Sequence, residues 1–165
     1  MTPILIPIRA SLGTTDGIVP LALSDLREQD ARKRVRNGEG PSIAWQVQHM
    51  LASRCKILNL LGSAPECPIE EGTDMDIAQL LQQWREVEQK LGTAMESVTD
   101  ETLKRSAESG PHGEKTALDR VLFLIWHEAY HVGALGGIRR ELGFPGPAEL
   151  VMASIGLQED LARQV

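Results

Sequence analysis

Apolar positions recur at helical spacing through most of the chain. Residues 3–24 carry Ile4, Ile8, Leu12, Val19 and Leu23 on such a repeat, with Pro3 in a position suited to a first helical turn. Gly13, Gly17 and Pro20 weaken its middle, and a kink or break is expected near Pro20. Residues 24–36 are charged on nearly every side and predict a short exposed helix capped by Ser24. Asn37-Gly38-Glu39-Gly40-Pro41 then breaks the chain. The next long helix is predicted over residues 42–61, from a Ser42 cap to a stop at Gly62. Its apolar residues (Ile43, Trp45, Val47, Met50, Leu51, Ile57, Leu58, Leu60) occupy most of the circumference, which predicts burial. After an acidic, Pro-containing connection over 63–72, residues 74–97 form an amphipathic helix opened by Asp74 and Asp76. Ile77, Leu80, Leu81, Trp84, Val87, Leu91, Ala94 and Met95 make its stripe. Residues 99–103 add a helical turn, and 109–113 read as a loop. A long apolar helix is predicted over 116–142, stopped by Gly143 and Pro145, and a last one over 147–163 with Leu150, Val151, Ile155 and Leu157. No segment alternates as a strand does, and no repeat appears. The pattern predicts an all-α antiparallel four-helix bundle with one or two short extra helices, in a single domain over residues 1–165.

Composition narrows the partners. The 165 residues have a formal net charge of -6 and a pI near 5.2, which argues against nucleic acid, whose phosphates need a basic face. The apolar N-terminal stretch lacks a basic flank and is interrupted by Arg9, unlike a signal peptide. No stretch approaches the roughly 20 apolar residues of a membrane span, so no membrane partner is expected. Cys55 and Cys67 do not make a disulfide framework. Cys55 is expected to be a buried thiol, and a reduced, cytoplasmic setting is the simplest reading.

The candidate chemistry lies in Trp126-His127-Glu128-Ala129-Tyr130-His131. Two of the chain's four histidines stand four residues apart there, which on a helix puts both imidazoles on one face. Two such rings can share a metal ion, and a catalytic site usually takes three protein ligands and leaves one position open. His49, on the buried-looking helix 42–61, is the natural third ligand, with Phe123, Leu124, Leu135 and Ile138 placing the pair inside the bundle. The alternative is a set of core histidines that only form hydrogen bonds. His112, in a Gly/Pro loop, is expected to be exposed.

Pro41-Ser42-Ile43-Ala44-Trp45-Gln46-Val47-Gln48-His49 resembles the helix-two motif of the DinB-like (DinB/YfiT) metalloenzyme superfamily. His127-Glu128-Ala129-Tyr130-His131-Val132-Gly133, followed by Ile138-Arg139-Arg140-Glu141-Leu142-Gly143, resembles its helix-four motif. The resemblance runs over residues 1–143 and implies a four-helix bundle with one divalent metal on His49, His127 and His131. Members are similar to thiol-dependent transferases and isomerases using bacillithiol or mycothiol, which implies an S-transferase with a low-molecular-weight thiol cosubstrate. Ala134 stands where the family often has Gln.

Three imidazoles suit zinc, nickel or iron. Such a centre either activates a thiolate or makes a hydroxide, so a metal-dependent hydrolase is the rival enzyme. A non-catalytic, stress-related helical binding protein is the rival outside enzymes. Glu128 points about 100° from His127 and reads as an interhelical partner rather than a base. Arg120 is expected to face the pocket and meet an anionic group. Tyr130 is expected either to donate to a substrate oxygen or to pack between helices. Arg139 and Arg140 favour the negative end of the helix dipole. The partner is a small-molecule substrate, with the pocket's other walls from the first and third long helices, and pairing through outer helices such as the last would give a homodimer.

Overall fold

Local capping chemistry sets the ends of the long helices. Ser42 accepts from the Trp45 amide at 3.1 Å and opens one helix, and Gly62, at φ +80°, takes the left-handed conformation just beyond its end. Asp76 with Gln79, and Thr116 with Asp119, form reciprocal capping boxes at two others. The structure, a computed structural model, describes residues 2–63, 69, 75–110 and 113–162. Its elements are α1 (Leu5–Leu23), α2 (Glu28–Arg32), a 3-10 turn at Arg36–Gly38, α3 (Ile43–Leu60), α4 (Ile77–Ser97), α5 (Asp100–Lys104), β1 (Ser106–Gly110), β2 (Gly113–Thr116), α6 (Ala117–Glu141) and α7 (Pro147–Ala162). The fold is helical, as the periodicity predicts.

Four long helices enclose the core. α3 packs against α4 and α6, and α1 packs against the same two from the other side. Leu5, Ile8, Val19 and Leu23 of α1 meet Ile43, Met50, Leu51 and Leu58 of α3, Leu80 and Trp84 of α4, and Val121 and Leu135 of α6 in one buried cluster. Gln46 touches His131, while Lys56 shares a cavity with Arg120, so α3 and α6 run in opposite directions. α7 lies on α1 and α6, and Pro147 approaches so closely that a Cβ at Gly136 would meet its ring at 3.0 Å.

Several expectations are corrected. α1 runs unbroken through Pro20, held by the buried Val19, Ala22 and Leu23 on either side. Ile4 lies outside it and is exposed. Ser24 closes α1 instead of capping a new helix; α2 starts after Arg27 and buries Ala31, and Val35 just beyond its end is buried too. Residues 106–116 contain an antiparallel hairpin that pairs Ser106 with Thr116 and Gly110 with Gly113, with an irregularity between Ser106 and Glu108. Gly113, Glu114 and Lys115 of β2 are exposed, so no alternation of apolar and polar residues announces this strand. α6 is long and apolar enough to span a bilayer by length and composition, contrary to expectation. Its polar residues Glu128, His131 and Arg139 are nonetheless buried against other parts of the fold. Cys55 is disulfide-bonded rather than a thiol, so cysteine content no longer argues for a reducing compartment. Cys67 and His112, most of the 63–72 connection, Asp74 and Arg163 lie outside the described residues.

Candidate metal centre

The site grows from the contact between α3 and α6. Near the middle of both helices, Arg54 crosses from α3 and grips Glu128 of α6 with two parallel hydrogen bonds of 2.9 Å, Nε to Oε2 and Nη2 to Oε1. The Thr15 hydroxyl of α1 also donates to Glu128 Oε1 and accepts from Arg54 Nη2 at 2.8 Å. Arg54 Nη1 reaches Asp16 at 2.5 Å, and its guanidinium lies 3.9 Å from the ring centroid of Trp84 on α4. All four long helices therefore meet at one buried cation. Arg54 is fully buried and Glu128 is 1% exposed, so each charge depends on the other for solvation. Burial acts first on Asp16 and raises its carboxyl above the ordinary range, with Arg54 pulling the other way. Glu128 is thus the interhelical partner that its direction on the helix predicts.

One residue before Glu128, and five before Arg54, stand His127 and His49. With this pairing the two imidazoles face each other, and His131 joins them from the next turn of α6. Nε2 of His127 lies 3.4 Å from Nε2 of His49 and 3.0 Å from Nε2 of His131. All three ligand atoms fall within 4.8 Å of one another. Ring nitrogens this close share a proton or a cation between them. Metal–imidazole bonds of about 2.0–2.1 Å in tetrahedral geometry put neighbouring nitrogens about 3.3 Å apart, and the two separations from His127, 3.4 and 3.0 Å, are close to that value. Three imidazoles with no thiolate and no carboxylate among them are the donor set of a borderline transition metal.

A buried hydrogen bond orients one ligand. His131 Nδ1 donates to Oε1 of Gln46 at 2.5 Å, which leaves Nε2 to face the cluster. Burial, reinforced by the neighbouring His127 and His49 rings, lowers the His131 pKa to about 4. The ring is therefore neutral, as a ligand must be, at ordinary pH. Gln46 was not among the residues read as functional. Its signal is a buried amide one turn before His49 on the same helical face. Arg54 gives a similar signal, as a charge on a helix whose apolar residues occupy most of its circumference.

The site opens toward one side. A cavity of about 820 Å³ beside His131 is lined by Arg36, Trp45, Gln46, Tyr130, Ala134 and Glu141, among others. Its walls beyond the histidine-bearing α3 and α6 come from the 35–41 loop, not from α1 and α4 as expected. Ala134 lies in the wall and adds only a methyl group there. Tyr130 is 63% exposed and meets His131 edge-on at 5.2 Å between centroids, on the outer face rather than between helices. Phe123 is also exposed and stacks on His127, so the histidine pair is rimmed on that side rather than sealed inside. Arg120 does not line this cavity. It lies over Phe123 at 5.2 Å and shares a second cavity with Lys56 and Arg105. Arg139 does more than offset a helix dipole. It is fully buried, holds both oxygens of Asp25 at 2.8–2.9 Å, and donates to the Ala22 and Pro145 carbonyls, tying the end of α6 to the end of α1. Arg140 is exposed and pairs with Glu149 at 3.4 Å.

A helical fold with three inward imidazoles on two facing helices defines a class of candidate metal-binding bundles. Residues 18–135 match the sequence profile of the DinB superfamily, and the chain belongs to that superfamily. Its fold is similar to the crystal structure of the DinB-like protein YjoA from Bacillus subtilis. The TM-score is 0.65 at 18% identity, over 83% of this chain and 92% of that one. A search of curated proteins found no match.

Proposed function

We propose that this chain is a metal-dependent enzyme that transfers a low-molecular-weight thiol, of the bacillithiol or mycothiol kind, to a small electrophilic substrate. The observation that carries the metal-dependent part is the convergence of the three Nε2 atoms. His49, His127 and His131 would hold one divalent ion, with zinc, nickel and iron all compatible with the donor set. Such an ion supplies Lewis-acid chemistry at an open position, favouring a thiolate over a thiol at neutral pH. The choice of thiol transfer over hydrolysis rests on the family resemblance of the two histidine motifs.

The protein's own groups prepare that position. Gln46 holds His131 by Nδ1, and the Arg54–Glu128 pair sets how α3 and α6 face each other. Glu128 is occupied by Arg54 and Thr15 within the core and is not the base. The cavity beside His131 gives a small molecule access from outside. The direct test is to incubate metal-loaded protein with bacillithiol, mycothiol or glutathione and a simple electrophile, and to detect the conjugate by mass spectrometry. Conjugation that needs metal and is lost in His127→Ala is the expected result. Metal-loaded protein that hydrolyses activated esters but forms no conjugate would replace transfer with hydrolysis.

A further inference from the structure

Each of the three imidazoles has an aromatic neighbour outside the cluster. Trp45 stacks on His49 with centroids 5.1 Å apart and planes within 7°, and Phe123 stacks on His127 at 6.0 Å and 25°. Tyr130 meets His131 edge-on, and Trp126 spans the gap at 6.1 Å from Phe123 and 6.5 Å from Tyr130. On α6 the last three fall within about 60° of one another at 100° per residue, so they form one flank beside the histidines. Four of the chain's six Phe, Trp and Tyr residues are gathered here. All four are exposed: Trp45 41%, Phe123 45%, Trp126 65% and Tyr130 63%. Aromatic side chains gain most from burial, so a cluster left open around a polar centre reads as a binding surface.

The geometry points to a substrate with a planar, apolar body, most simply an aromatic ring, carrying its reacting group toward the histidines. This inference rests on the proposed metal centre. Three observations favour a small molecule over a protein as the occupant. Trp45 and Phe123 stack on ligand imidazoles and Tyr130 meets a third edge-on, so whatever covers these rings also covers the access to the site. The adjoining cavity, about 820 Å³, falls within the usual size of small-molecule pockets. Between Trp45 on one side and Tyr130 on the other, the wall of that cavity is Gly133, Ala134 and Gly137, which leaves room for a flat group to lie against the α6 backbone. Glu141, one lining residue, is ten positions past His131 on the same helix, about 15 Å away. The cavity is therefore long enough for a ring and a tail.

Acetohydroxamate and benzohydroxamate share one metal-binding head and differ in methyl against phenyl. They can be titrated into zinc-loaded protein by calorimetry, with Trp126→Ala and Tyr130→Ala as variants and zinc content measured in each. The wild type should bind benzohydroxamate about tenfold more tightly, as expected of two or three aromatic contacts, and each variant should shrink that ratio while keeping its zinc. Equal affinity for the two probes, or a ratio unchanged in both variants, overturns the inference and leaves the metal centre standing. A native-mass dimer that dissociates in Trp126→Ala assigns the rings to a second copy and overturns it as well. Protein that retains no zinc and binds neither probe overturns the metal centre, and this inference with it.

Discussion

At His131, a single hydrogen bond decides which ring nitrogen is available. Nδ1 is held by the Gln46 amide in a buried position, so Nε2 faces His127 at 3.0 Å. An imidazole without that partner rotates and samples both tautomers, and loses affinity for an ion without losing a ligand atom. Gln46→Leu is therefore expected to weaken metal binding about 10–100-fold, the usual effect of removing such an outer partner. Competition with a coloured chelator measures it. Gln46→Glu restores an acceptor and should recover much of the affinity. An unchanged affinity in Gln46→Leu would mean that the ring is positioned by packing alone.

Between elements, the Arg54–Glu128 pair sets the register of α3 against α6. Buried ion pairs rarely stabilise a fold beyond what apolar residues of similar volume achieve, but breaking one leaves a stranded charge. Glu128→Leu should cost about 3–5 kcal/mol in denaturant unfolding, and adding Arg54→Met should recover a large part of the loss. Equal stability of the single and double variants would show that Asp16 and Trp84 satisfy Arg54 without Glu128. This element scale also marks where the sequence stops being legible. Ser42, Asp76 and Thr116 announce helix starts because capping is local, and Gly62 and Gly143 announce ends because only a few residues accept positive φ cheaply. Arg54 with Glu128, and Arg139 with Asp25, pair residues more than 70 positions apart, and no local pattern reports that. The pairing of β1 with β2 was not legible because the consecutive exposed residues Gly113, Glu114 and Lys115 carry no alternation.

For the whole molecule, α1, α3, α4 and α6 surround a core from which one edge, between α3 and α6, is left for chemistry. His127 and His131 were legible as a pair because a four-residue spacing survives any correct helix assignment. His49 followed once two apolar helices were expected to face each other. The cavity was not legible in the same way, since its walls depend on the 35–41 loop folding back on α6. The Arg36 amide donates there to Glu141 at 2.8 Å. Trp45 and Phe123 are exposed where burial was expected, because periodicity reports an apolar face without saying whether a neighbour covers it. The central claim, that His49, His127 and His131 together hold one ion, is tested most directly by elemental analysis of protein purified without a metal-affinity column. About one divalent transition metal per chain in the wild type, and none in His127→Ala, is the predicted result. Purified protein that carries no metal and takes up none on titration would contradict it.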